Sequence, residues 1–311
     1  MIQLNTTKRE YRSISKSGID RSLAPMKLFE KAKKLGVWNP ADIDFTQDKE
    51  DWIKLSENEK DYLLNLVTPF LAGEECVSHD NQPMISCMAK QGRLEDEMYL
   101  STFLWEEVKH MDFFRRYLDD VVSIDRDLYE YIRPAYKALL MDRLEEVMSR
   151  LWTDQSPEAI IDASVVYNMI IEGVLAETGY HTFYEVLDRN NIMPGLRKGV
   201  ALIQRDESRH IGYGVYLLSR IIQDRPDLLP YLEERMAEVQ VMAMAQIQEG
   251  IDRYGEDEEI PFGMPGNFGE EYALTRYQGR MSVIMRSQKK SKKEVESQDY
   301  ELMGSLAGST S

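Results

Sequence analysis

The chain has 311 residues, a formal charge of −16 at pH 7 and only two cysteines. Its length is enough to bury a full core, and so strong an acidic excess argues against nucleic acid or an anionic membrane as the main partner. The spacing of Cys76 and Cys87 matches neither a redox pair nor a zinc cluster, so reduced thiols without a structural disulfide are expected.

Residues 1–25 read as a polar N-terminal arm in which Lys8, Arg9, Glu10, Arg12, Lys16 and Asp20 prevent any apolar core of the secretory type. No later stretch reads as long and apolar enough to span a bilayer, and a cytoplasmic protein is expected. Met26 to Leu35 predicts a short amphipathic helix, and Asn39 and Pro40 mark a loop over Trp38 to Asp44. Ser56 with Glu59 fits a capping box that opens a long helix toward Met88, broken by Gln91 and Gly92. A second long helix follows from about Arg93 to Asp120, then shorter helical stretches over Asp125 to Trp152 interrupted near Pro134. Ser156 as N-cap and Pro157 at the first helical position start a helix to about Asp188, and Pro194 with Gly195 opens another to about Gln223. A further helix is predicted from Asp227 to Tyr254, and a Pro- and Gly-rich loop from Gly255 to Gly269. Beyond a last helical stretch, Lys289 to Ser311 has the composition of a mobile tail. Strand-type alternation is absent, so the class is all-α, with one helical domain over 26–285 and a polar tail over 286–311.

One pattern occurs twice: an acidic residue, Glu, two residues, His, as Glu106, Glu107 and His110, and again as Asp206, Glu207 and His210. Residues at i and i+3 share a helix face, so each copy presents a carboxylate and an imidazole together. Each copy also has a Glu upstream at nearly the same remove, Glu74 at 33 residues before Glu107 and Glu172 at 35 before Glu207. That is the ligand inventory of a carboxylate-bridged dinuclear site in a four-helix bundle.

A single Glu-x-x-His is mostly a surface ion pair, and position decides otherwise here. Glu107 and His110 interrupt the apolar stripe of Leu100, Phe103, Leu104, Met111, Phe114 and Leu118 from within, and Glu172 falls among Val165, Met169, Leu175, Ala176 and Phe183. Glu74 follows Leu63, Val67 and Phe70, and Glu207 and His210 continue Val200 and Ile203. Four carboxylates aimed at one core are untenable without cations among them, because burying an unpaired carboxylate costs several kcal/mol. Four Glu and two His make a mixed oxygen and imidazole set that suits iron or manganese. Glu75, Glu106 and Asp206 compete as ligands, since i−4 shares the histidine face; the repeat favours Glu107 and Glu207, with Asp206 as an acceptor that fixes a ligand histidine and Glu106 either doing the same or facing water. His79 and His181 lack a companion carboxylate and stay outside the site.

On these residues the chain resembles the ferritin-like carboxylate proteins, and within them the small subunit of class I ribonucleotide reductase and its ligand-binding oxidase relatives. The similarity runs from about Lys27 to Tyr254, through Trp38 to Phe45, Ala72 to Val77, Gln91 to Glu95, Tyr167 to Glu172 and Asp206 to His210. It implies a ferritin-like four-helix bundle with additional helices. Glu74, Glu107 and His110 would hold one metal, expected to be manganese, and Glu172, Glu207 and His210 a second, expected to be iron, with a carboxylate bridge; a di-iron pair is the alternative. It also implies that Val77 and Tyr167 become joined by an ether link.

The resemblance further implies an oxidase that uses dioxygen at C–H or O–H bonds, binds a long-chain fatty acid and forms a homodimer. A reductase radical-generating subunit is the alternative, along with ferritin-like iron handling and an acyl-chain desaturase or hydroxylase. Phe114 stands four residues after His110, where a reductase keeps its radical-storing tyrosine, although some manganese/iron reductase subunits lack that tyrosine too. Cys76 stands where alanine is more usual in the oxidases.

Overall fold

The computed structural model describes residues 11–254, 260–265 and 268–301. Eleven helices matter here: α1 (Ala24–Leu35), α2 (Thr46–Lys54), α3 (Glu57–Asp80), α4 (Gln82–Lys90) and α5 (Leu94–Tyr117), then α6 over 134–150 and α7 (Pro157–Asn190). They continue as α8 (Pro194–Asp224), α9 (Leu229–Ile251), α10 (Glu270–Ser287) and α11 (Lys292–Ser297). No strand occurs among the described residues, and the all-α, ferritin-like reading holds. The bundle core is α3, α5, α7 and α8: α3 packs along α5, α7 along α8, and α5 meets α8. Outside them, α1 crosses α5 and α8, while α9 and α10 cover α7.

The starts of these helices follow from local chemistry. Ser56 accepts from the Glu59 amide while the Glu59 carboxylate accepts from the Ser56 amide, the reciprocal capping expected for α3. Ser156 caps α7 ahead of Pro157. The N-terminus of α8 has no cap of its own; α2 supplies one, with Asp48 accepting from the Gly195 and Leu196 amides and Asp51 from the Met193 amide. Carboxylates there satisfy orphan N–H groups and the positive end of the helix dipole. The sequence reading had no helix at α2, whose buried face consists of the two aspartates and no apolar stripe.

Other departures have local reasons. The helix predicted from Ser56 toward Met88 breaks at Asn81, because Pro83 opens α4 as a new first turn. Within α7, Val165–Ala176 is π-helical, a widening that continuous apolar sequence does not signal. Pro157–Asn190 is also long and apolar enough to cross a membrane, contrary to the reading that no stretch is, yet it is mostly buried inside the bundle as a core helix. The C-terminal segment stays packed past 285: α11 is capped by Ser291, Val295 and Tyr300 are buried, and Lys31 pairs with Asp299 and Glu301. At the other end, Arg12 ties the arm to Glu95 through two hydrogen bonds. Residues 1–10 of the expected arm, 302–311 of the expected tail, and 255–259 and 266–267 of the expected loop lie outside the described residues.

Candidate metal centre

Each bundle helix brings its predicted residue to the middle of the core: Glu74 from α3, Glu107 and His110 from α5, Glu172 from the π-helical stretch of α7, Glu207 and His210 from α8. All six are 5% exposed or less, whereas Glu75, on the next position of α3, faces solvent. They fall into two overlapping groups, Glu74, Glu107, His110 and Glu207, and Glu107, Glu172, Glu207 and His210, whose ligand-type atoms lie within 4.8 Å of one another. Two carboxylates are therefore shared. Glu107 points Oε2 at His110 Nδ1 (3.7 Å) and Oε1 at His210 Nδ1 (3.0 Å). Glu207 points Oε1 at His110 Nδ1 and Oε2 at His210 Nδ1, both at 3.2 Å. Glu74 lies 3.5 Å from His110 Nδ1 and Glu172 lies 3.8 Å from His210 Nδ1, one at each end.

Both imidazoles turn Nδ1 inward and Nε2 outward, and the outward nitrogens are held across the repeat. His210 Nε2 donates to Glu106 Oε2 at 2.9 Å, and His110 Nε2 to Asp206 Oδ2 at 3.3 Å, so the leading acid of each copy serves the histidine of the other. Arg209, fully buried, donates to both acids, Glu106 Oε1 at 2.5 Å and Asp206 Oδ1 at 2.6 Å. Lys109 and the Trp38 indole also donate to Asp206 Oδ2, at 2.8 and 2.7 Å. Of the two options left open for Glu106, the structure shows the histidine partner: it is buried and does for His210 what Asp206 does for His110. The basic residue before each histidine, Lys109 and Arg209, was a legible part of the repeat that the sequence reading left unused. Gly36 closes this clamp, since a Cβ there would stand 2.1 Å from Glu106 Oε1.

The electrostatics match a site built for cations. Burial pushes Glu74 and Glu172 well above the ordinary carboxylate range, and neighbouring carboxylates add to it. Burial would also raise Glu107, but His210 and His110 outweigh it and hold this carboxyl low. For both histidines burial favours the neutral ring, and the surrounding carboxylates reverse that and raise them well above the usual imidazole range. Asp206 is held low against burial by His110, Lys109 and Arg209. Two buried atoms of the cluster, His110 Nδ1 and Glu172 Oε1, have no hydrogen-bond partner. Orphaned donor atoms among crowded carboxylates are what a bound cation would satisfy, so the donor set fits a pair of hard or borderline metal ions.

Tyr167 donates from Oη to Glu107 Oε1 at 3.0 Å, and Asn168 Nδ2 donates to Glu172 Oε2 at 3.0 Å. Phe103 stacks on His210 with ring centroids 3.6 Å apart. Phe114 is buried among Phe70, Phe113 and Phe183, with no phenolic oxygen at that place. His79 is exposed and His181 stacks on Phe268 and Tyr272, both away from the cluster.

A cavity of about 100 Å³ opens against Glu74, Glu107, Glu172 and Glu207, with Phe70, Val77, Leu140, Ile171, Leu175 and Ala176 among its other walls. It shares Pro69, Phe70, Tyr136, Leu175 and Gln246 with a second chamber of about 220 Å³ that extends between α3, α6, α7 and α9. The sequence reading named no pocket residue, because a cavity wall and a packed core have the same apolar periodicity.

Fold and cluster together define a helical-bundle protein with a dinuclear-type carboxylate and histidine centre. Residues 26–255 match the family model for the ribonucleotide reductase small chain. Among solved structures, an R2-like ligand-binding oxidase from Sulfolobus acidocaldarius is 40% identical with a TM-score of 0.79, over 92% of this chain and 98% of that one. A valine-to-leucine variant of an R2-like ligand-binding oxidase with an aerobically reconstituted Mn/Fe cofactor is 36% identical, with a TM-score of 0.82 over 88% of this chain and 97% of that one. A glycine-to-leucine variant, with a non-activated Mn/Mn cofactor after aerobic reconstitution with Mn and Fe, matches at 36% identity and a TM-score of 0.83 over 88% and 97%. The chain belongs to the ribonucleotide reductase small-chain family, among its R2-like ligand-binding oxidases.

Proposed function

We propose that this chain is a cytoplasmic, homodimeric oxidoreductase that holds one manganese and one iron ion, binds a long-chain fatty acid or similar apolar ligand, and uses dioxygen to oxidise C–H or O–H bonds. The observation that carries the reading is the apolar cavity lying directly against the four cluster glutamates and continuing into a second chamber. A ligand chain there has its C–H bonds beside the metal positions and away from bulk water. Glu74, Glu107, Glu207 and His110 would hold one ion, and Glu107, Glu172, Glu207 and His210 the other. When bound, the metal pair supplies the redox chemistry by which dioxygen becomes an oxidant.

The protein's own contribution is position and proton control. Glu107 and Glu207 each turn one oxygen to either histidine and would serve both ions, and Glu106 and Asp206 fix both histidines with Nδ1 inward. Phe70, Leu140, Ile171 and Leu175 keep water from the reacting face. Tyr167, hydrogen-bonded to Glu107, has a carboxylate ready to take its proton, and Val77 lines the cavity. We assign these two residues to the ether crosslink: the Tyr167 O–H and a Val77 C–H are lost, an O–C bond forms, and two electrons and two protons leave toward the dioxygen-derived oxidant.

Phe114 weighs against the reductase reading, because no phenol stands where that subunit stores its radical. The test is oxygen uptake by the metal-loaded chain together with mass spectrometry of lipid extracted from it. Uptake with a co-purified long-chain acid supports the reading. Metal release with mineral growth would instead favour iron handling, and support of nucleotide reduction with a large subunit would favour the reductase.

A further inference from the structure

We propose that Tyr99, Tyr213 and Tyr216 form an electron relay leading from the metal centre toward Arg93 at the bundle surface, with Tyr213 as its redox-active station and Asp96 as the acceptor of its proton. The relay rests on the oxidase reading for its oxidant. Rings lead outward from the cluster without a gap: Phe103 stacks on His210 at 3.6 Å, Tyr99 lies 6.2 Å from Phe103, Tyr213 5.1 Å from Tyr99, and Tyr216 5.9 Å from Tyr213. Phe103 is also 5.5 Å from Tyr167. Phe103, Tyr99, Tyr213, Tyr216 and Tyr167 are all buried, as is His210. Plain packing explains apolar rings in a core; it does not explain phenols placed one after another on a carboxylate and a guanidinium.

Hydrogen bonding selects Tyr213. A phenol that loses an electron becomes a strong acid, so oxidation is easy only where a base takes the proton at the same time. Tyr213 Oη donates to Asp96 Oδ1 at 3.1 Å. Tyr99 Oη has no hydrogen-bond partner, and Tyr216 Oη accepts from the Arg93 guanidinium at 2.7 Å, a cation that opposes positive charge on that ring. Arg93 also donates from Nε to Asp96 Oδ2 at 3.0 Å, and its side chain, 24% exposed, reaches from this buried carboxylate to solvent. Burial, partly offset by Arg93, pushes Asp96 up to about 6, a proton affinity suited to accepting and returning a proton near neutrality.

The step balances. Tyr213 loses its O–H proton to Asp96 and one electron, through Tyr99 and Phe103, to the oxidised centre, which is reduced by one equivalent. A one-electron reductant of the thiol or ascorbate class refills Tyr213 through Tyr216, and Asp96 returns the proton. The net result is one electron carried inward, which discharges an oxidising equivalent when no ligand C–H bond stands in the cavity to receive it.

The experiment loads the full chain with Mn(II) and Fe(II) without oxygen, mixes it with oxygenated buffer in the absence of fatty acid, and follows oxygen uptake and freeze-quench electron paramagnetic resonance. Ring-deuterated tyrosine identifies the radical. The expected result is a tyrosyl signal in the native chain that Tyr213→Phe abolishes and Asp96→Asn diminishes, with metal content retained. Tyr231→Phe is the matched control, since Tyr231 also donates to a carboxylate, Asp162, but lies outside the ring series; it should leave the signal intact. Oxygen uptake without a native tyrosyl signal, or with a signal that survives Tyr213→Phe, overturns the relay and leaves the oxidase reading standing. No oxygen uptake by the loaded native chain defeats the oxidase reading, and the relay falls with its oxidant.

Discussion

Replacing Arg209 with methionine removes the cation that donates to both leading acids of the duplicated motif, Glu106 and Asp206. In the native chain its guanidinium sits between Glu106 and Asp206 at 2.5 and 2.6 Å, with all three side chains fully buried. Methionine fills most of the volume and leaves two carboxylates facing each other with only Lys109, Trp38 and the histidines to answer them. Breaking a buried ion pair from one side costs about 3–5 kcal/mol. At about 2–4 °C per kcal/mol for domains nearing this size, the metal-free melting midpoint should fall by roughly 6–20 °C. The histidines lose their fixed acceptors as well, so metal affinity should fall by about 10–100-fold. The sign of the pH dependence follows from Asp206, which is held below the ordinary carboxylate range in the folded chain. Its contribution is present above roughly pH 4 and is lost as pH falls through the lower folded value, so the deficit of the variant should shrink on acidification. Calorimetric melting at two pH values, paired with metal titration, measures both effects. A variant that melts with the native chain and binds metal as tightly would refute the crossed clamp.

Metal loading should release protons, since burial and neighbouring carboxylates raise the proton affinity of Glu74 and Glu172, and the surrounding carboxylates that of both histidines; titration calorimetry in buffers of different ionisation enthalpy counts them. Affinity should rise with pH, by about tenfold per unit for each proton displaced. Gly212→Ala places a Cβ 2.6 Å from the Tyr300 carbonyl oxygen, which must move. It should cost about 1–3 kcal/mol and expose the segment around Tyr300 to limited proteolysis. Ser56→Ala removes half of the reciprocal cap on α3 and should cost about 1 kcal/mol by chemical denaturation, with metal content unchanged.

The cluster was legible in the sequence because its signal is a matter of helix period: Glu and His three apart, twice, each set inside an apolar stripe with an upstream Glu. Glu75, left as a competitor on spacing, is exposed while Glu74 is buried. What it did not reach depends on how helices meet. The exchange of acids between motifs, Glu106 to His210 and Asp206 to His110, exists only because α5 and α8 are neighbours, and no spacing within either copy encodes it. A carboxylate bridge was expected, but that Glu107 and Glu207 are the two shared by both groups has the same origin. The π-helical stretch that carries Tyr167 and Glu172 is apolar throughout, so its sequence fits several helical pitches equally well. The helix α2 escaped notice because it is positioned by Asp48 and Asp51 on the amides of α8, a polar contact that leaves no apolar stripe to read.

A metal pair beside the apolar cavity, with an oxidant that reaches Tyr167 and Val77, leaves a covalent record. Aerobic reconstitution with Mn(II) and Fe(II), followed by metal analysis and peptide mass spectrometry, tests it most directly. The expected result is one manganese and one iron per chain and a linked peptide joining Val77 to Tyr167 that weighs two hydrogens less than its parts. A chain that binds neither metal stoichiometrically and yields only the unlinked peptides would contradict it.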